Sequence, residues 1–165
     1  MNPRLTLVSL AGAALVGLAG CSDDDGARQA AQDYALEVET ISDDANRASD
    51  RALVTLNRVT DGSIDPARAI GILETESRRI DRESTRLADL ASPEPAAQAA
   101  DDLEFQLDTL ALELRSAATD VRVAEREDRD LAATGRSNAR VVLVSSSSAS
   151  ALSRSLRALA LESTD

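Results

Sequence analysis

A chain of 165 residues with a net charge of −11 and no histidine is long enough for one domain and too acidic to take nucleic acid or an anionic bilayer surface as its main partner. Its 18 basic residues are all arginine, tryptophan is absent and there is one cysteine, which excludes a Ser-His or Cys-His nucleophile, a Schiff-base lysine, a His-bearing di-iron site and a Cys/His zinc site. Carboxylate pairs remain as acid-base groups or hard-cation ligands, but no spacing separates any of them from helix-surface charge, so no catalytic residue, metal or cofactor is expected.

The first element, residues 1–20, has the layout of a secretory signal: Arg4 and the amino terminus, then an apolar, small-residue stretch from Leu5 to Leu18. It is too short for a membrane span, which needs roughly 17 to 25 apolar residues. The stretch closes on Leu18-Ala19-Gly20-Cys21, which resembles the lipobox of bacterial lipoproteins. The resemblance covers the leader alone. It implies cleavage before Cys21, whose sulfur carries a diacylglycerol, with Leu18, Ala19 and Gly20 read by the processing enzyme. Acyl chains at about 0.8 kcal/mol per buried CH₂ would then hold the mature chain at a bilayer. In Gram-negative lipoproteins the residue after the cysteine helps choose the membrane, and Ser22 points to the outer one; elsewhere the address is the outer face of the cell membrane. Two plainer readings stand beside this one. Gly17-x-Ala19 also satisfies an ordinary cleavage site, and Cys21 could pair with another chain in an oxidising compartment.

Residues 21–26, Cys-Ser-Asp-Asp-Asp-Gly, read as an unfolded acidic tether reaching only ~20 Å at about 3.5 Å per residue, which keeps the rest close to the membrane. As a calcium loop the segment fails, because the final ligand position falls on Gln32. From residue 27 to 162 the apolar positions recur in alternating steps of three and four, the mark of helices with one buried seam. The first seam is Ala31, Tyr34, Val38, Ile41, Ala45, Ala48, Ala52, Thr55 and Val59, stopped by Asp61-Gly62. Asp65-Pro66 restarts the chain with a cap and a proline at the first helical position. The second seam is Ile70, Leu73, Ser77, Ile80, Ser84, Leu87 and Ala91, and Ser92-Pro93-Glu94-Pro95 reads as the next start, with Ser92 as cap. The third runs Ala96, Ala100, Leu103, Leu107, Leu110, Leu114, Ala117, Val121, Ala124, Asp128 and Leu131, ending at Thr134-Gly135. Val142, Ser145, Ala149, Leu152, Leu156 and Leu159 keep the rhythm in a fourth helix over 141–162, although Val141 to Val144 alone could be a strand. Residues 163–165 are a tail. Short connections make successive helices antiparallel, so the fold class is all-α, an up-down four-helix bundle with seams rich in Ala and Ser. Buried serines are expected to bond back to their own helices.

Two surfaces emerge as candidates. At 1.5 Å per residue the first and third helices are the longest, roughly 50 and 60 Å, so the end of the third and start of the fourth should project farthest from the anchor. This tip carries Arg122, Glu125, Arg126, Arg129, Asp130, Arg136 and Arg140, with Glu125–Arg129 and Arg126–Asp130 spaced as i,i+4 ion pairs. On the second helix Arg78, Arg82 and Arg86 form a ridge with Arg79 beside it, either paired with Glu74, Glu83, Asp89 and acidic neighbouring helices or open to an anionic group. Phe105, Leu112 and Val123 lie off the third seam, as a helix touching several neighbours would place them, a second oligomer interface being the alternative. The expected role is a non-enzymatic, lipid-anchored adaptor, spacer or assembly component of the cell envelope with a protein partner. The alternative is a bundle that binds a divalent cation or small amphiphile.

Overall fold

A computed structural model of the chain describes residues 23–162. The leader, the motif Leu18-Ala19-Gly20, Cys21 and the tail lie outside the described residues. Four helices occupy nearly all of them: α1 (Asp23–Thr60), α2 (Pro66–Ala88), α3 (Ala97–Arg126) and α4 (Leu131–Glu162). A short 3₁₀ turn at Glu94–Ala96 precedes α3, and among the described residues there is no strand. Because α1 opens at Asp23, residues 23–26 belong to a helix and not to the expected tether; acidic residues suit a first helical turn, where the helix dipole is positive.

Every position of the first seam, from Ala31 to Val59, is buried. The chain leaves α1 through Gly62, whose φ of 71° is open to glycine at no steric cost. Asp65 then accepts a hydrogen bond from the Arg68 N–H at 3.0 Å, with Pro66 beginning α2. The second seam is buried from Ile70 to Leu87, whereas Ala91 is exposed beyond the helix end. Ser92 does not cap the third helix. Its hydroxyl bonds the Tyr34 hydroxyl on α1 at 2.9 Å, and the 3₁₀ turn starts after Pro93 with no side-chain cap.

The break between the third and fourth helices falls earlier than the sequence suggests. α3 stops at Arg126, where Arg129 N–H reaches back to the Ala124 carbonyl at 2.8 Å across Asp128, a non-glycine residue at φ 52°. That is the helix-ending motif usually built on glycine. Asp130 caps α4 through the Ala133 N–H at 2.9 Å. Thr134 and Gly135 therefore lie inside α4 and end nothing. Gly135 is kept by packing: a Cβ there would sit 2.5 Å from Thr60 Oγ1 and 2.8 Å from the Leu56 carbonyl oxygen.

Each helix packs on the next in sequence and α4 packs on α1, closing a ring. Cross-helix pairs show neighbours running in opposite directions, since partner numbers fall on one helix as they rise on the other. Glu37 meets Arg86 while Arg51 meets Glu76 between α1 and α2, and Asp81 meets Arg115 while Glu74 meets Arg122 between α2 and α3. The core is aliphatic and fine-grained, with Val38, Ile41, Leu56, Leu73, Ile80, Leu103, Leu107, Leu110, Leu114 and Leu156 enclosed among alanines. Serines in it behave in two ways. Ser49 bonds the Ala45 carbonyl of its own turn, as buried serines usually do, but Ser77 donates across to the Ala111 carbonyl of α3 at 2.8 Å.

Candidate partner surface and arginine ridge

The residues expected at a projecting tip divide among three tasks. Arg122 lies back along α3 and clasps Glu74 of α2 at 2.6 Å. Arg129 pairs with Glu127 inside the α3–α4 turn, and Asp130 is the cap of α4. Neither i,i+4 pair forms, because the left-handed residue at 128 breaks the helix between its partners. Glu125, Arg126, Arg136 and Arg140 are exposed, and among the described residues none of the three arginines has a salt-bridge partner.

The turn does not stand alone at the end of the molecule. Asp61, Gly62 and Ile64 of the α1–α2 turn and Arg129, Asp130 and Leu131 line one shallow cavity of about 530 Å³. The two turns therefore lie side by side.

The ridge on α2 also divides. Arg86 reaches Glu37 of α1 at 2.5 Å and Glu83 at 3.4 Å, with Asp44 at 3.9 Å, so it is an interhelical clasp. Burial, reinforced by Asp44, pushes the Glu83 carboxyl above its ordinary range, and Arg86 pulls the other way. Arg79 joins Arg51 of α1 on the carboxylate of Glu76, both at 2.9 Å. Arg78 donates to the Thr75 hydroxyl at 3.3 Å and borders a shallow pocket of about 290 Å³ with Glu74, Ser77 and Arg115. Arg82 is exposed. Glu74 serves Arg122 and not the ridge, and Asp89 ends α2 as its C-cap.

Glu76 itself was not among the residues singled out by pattern. It is only 3% exposed, and its position between Leu73 and Ile80 on the core stripe was the available signal. Beside it lies an open groove of about 470 Å³ lined by Val54, Thr55 and Ile72, by Arg51, Arg58 and Arg79, and by Asp50 and Glu76 itself. Phe105 and Leu112 are 72% and 61% exposed, so they are not part of a widened core stripe; Val123 is half-buried. Among the described residues no group of three or more acidic side chains is gathered to hold a metal ion, and no helix is long and apolar enough to cross a membrane. No protein-family model, curated protein or solved structure matches the chain.

Proposed function

We propose that the chain is a lipid-anchored, non-enzymatic bundle of the bacterial cell envelope that acts as an adaptor, spacer or assembly component. In this reading its helices form an up-down-up-down four-helix bundle fixed to the membrane through Cys21, in the outer membrane where the host has one, with a protein partner meeting the far end. The observation that carries the reading is the filled aliphatic seam running the length of helices of 38, 23, 30 and 32 residues, with the ionised groups clasping the helices from outside. Such a body, about 50 Å long at 1.5 Å per residue, is suited to holding a distance. The partner-facing end comprises Arg126, Arg136 and Arg140 together with the α1–α2 turn. With mixed charge it favours a salt-sensitive contact over tight hydrophobic binding.

Expression in a bacterial host tests the anchor. The mature protein should partition into detergent and carry a thioether-linked diacylglycerol at Cys21 by mass spectrometry, and Cys21→Ala should release it to the soluble fraction. Equal membrane retention of that variant would refute the anchor. A second reading, binding of a small amphiphile, is favoured by the groove beside Glu76, where Val54 and Ile72 share an open cavity with Arg58 and with the Arg51–Glu76–Arg79 cluster.

A further inference from the structure

The charge of α4 is opposite to that of the molecule. From Leu131 to Glu162 it holds four of the 18 arginines and only one of the 29 acidic residues, Glu162 in its last position. Arg157 is drawn toward α1, where it clasps Glu39 at 2.8 Å. Arg136, Arg140 and Arg154 are exposed, and among the described residues they have no salt-bridge partner.

Helical spacing lines these three up. Val142, Ala149 and Leu156 are buried on the inner side of α4, and Arg136, Arg140, Leu143, Ser147, Ala151 and Arg154 follow steps of three and four along the outer side, every one of them exposed. Leu143 and its neighbour Val144 are 54 and 67% exposed, so the ridge is apolar in the middle and cationic at both ends. Its one hydroxyl is already used, since Ser147 Oγ bonds the Leu143 carbonyl at 2.8 Å, and covering the ridge strands no donor there. The margins on either side are acidic. On α1, Asp43 and Asp50 stand four residues on from Glu39 and Asn46, the residues that bond α4. On α3, Glu113 and Asp120 precede Arg115 and Arg122 by two residues, which turns them about 200° from the side that clasps α2. The helix α2 also exposes Arg68, Arg78 and Arg82, but none of its large apolar side chains is exposed.

We infer that the outer ridge of α4 is the docking line for a single acidic amphipathic helix of a partner protein. Its apolar stripe meets Leu143 and Val144, and its carboxylates fall against Arg140 on one side and Arg154 on the other. This rests on the adaptor reading and gives its partner a side and a chemistry. The arginines fix the sign of the occupant, and the acidic margins fix its width. A broad anionic surface, such as a bilayer, would be pressed against Asp43, Asp50 and Asp120 as well as the ridge. A helix about 10 Å across sits over α4 alone, with α1 and α3 set back by an interaxial spacing of about 8–10 Å. The screening length is about 8 Å at physiological ionic strength, so the occupant responds to the ridge beneath it more than to the distant part of the net charge of −11. From Arg136 to Arg154 the ridge is about 27 Å long and covers roughly 300 Å². That lies below the ~800 Å² per partner of standard stable interfaces, so the complex is transient and salt-sensitive.

The test is photo-crosslinking of the full chain in the membranes of its own host, with a photoreactive phenylalanine analogue placed either at Leu143 on the ridge or at Glu125 near the α3–α4 turn. The probe at Leu143 should join a protein, and mass spectrometry of the joined peptide should show acidic residues flanking an apolar stripe at helical spacing. Arg140→Glu with Arg154→Glu should lower the yield of that adduct at least fivefold without changing helicity, whereas Arg78→Glu with Arg82→Glu on α2 should leave it unchanged. An adduct at Leu143 to lipid, to a second copy of this chain or to a basic segment overturns the proposal, as does an adduct indifferent to reversal of Arg140 and Arg154. Protein joined only from Glu125 overturns the ridge and leaves the adaptor reading standing; no protein joined from either position overturns both.

Discussion

Gly135 shows how much a single missing side chain can decide. It lies within α4, yet a Cβ would press on Thr60 Oγ1 and on the α1 backbone at the Leu56 carbonyl and Thr60 nitrogen, so α1 and α4 approach there nearly backbone to backbone. Gly135→Ala gains about 1 kcal/mol of helix propensity, but overpacking typically costs about 1–3 kcal/mol. The expected net result is destabilisation in thermal or urea unfolding. Adding Thr60→Ala should relieve only part of it, because the carbonyl at 2.8 Å remains; full rescue would show that the hydroxyl alone sets the spacing. Glu83 illustrates charge in the same way. Its carboxyl is raised by burial and by Asp44, so folding favours the protonated form, and the stability linked to this group is greatest at acid pH and is lost as pH rises through its folded value. Glu83→Gln should therefore raise the melting temperature at pH 7, with the advantage disappearing below about pH 4, where the unfolded carboxyl is itself protonated. A gain that persisted unchanged in acid would mean that packing, and not ionisation, is responsible.

At the level of the helices, the first two seams were legible because burial on a helix leaves a period that no loop produces: their members from Ala31 to Val59 and from Ile70 to Leu87 are enclosed, and the structure adds Ala35, Ser49, Leu56, Ala69 and Glu76 beside them. The α3–α4 boundary was not legible, for two physical reasons. The chain turns on Asp128 at positive φ where a glycine would have advertised it, and the nearby Gly135 serves close packing inside a helix. The site followed the same division. The in-helix contact of Glu83 with Arg86 could be read from spacing, whereas the clasps of Arg86 on Glu37 and of Arg122 on Glu74 depend on which helices are neighbours. Glu76 stands on the stripe between Leu73 and Ile80, and only its charge makes it read as surface. The new boundary makes its own prediction. Among the described residues Asp130 alone bonds a first-turn N–H of α4 through its side chain, and Asp130→Ala should cost about 1 kcal/mol. Hydrogen exchange should quicken first at the start of α4 in that variant. If it quickened equally throughout, Asp130 would not be acting as a local cap.

For the molecule as a whole, charge acts in two opposing ways that differ in range. The close interhelical arginine–carboxylate pairs sit at 2.5 to 2.9 Å, with Arg86–Asp44 longer at 3.9 Å, and apart from Glu76 their partners are substantially exposed, so each is worth only about 0.2–1 kcal/mol. The uncompensated charge of −11 repels over tens of ångströms. Added salt separates the two effects, because the screening length shrinks from roughly 30 Å at 0.01 M to about 3 Å at 1 M. Repulsion between distant carboxylates is then removed while groups already in contact keep much of their attraction. The melting temperature, followed by far-ultraviolet circular dichroism, should accordingly rise with sodium chloride, and most of the rise should come early, as the screening length falls below the spacing between unpaired acidic residues. Neutralising an unpaired acidic residue on the surface, as in Asp50→Asn, should mimic part of that rise at low salt and add little at high salt. A melting temperature that fell steadily with salt would reverse the balance and show that the arginine clasps outweigh the long-range repulsion.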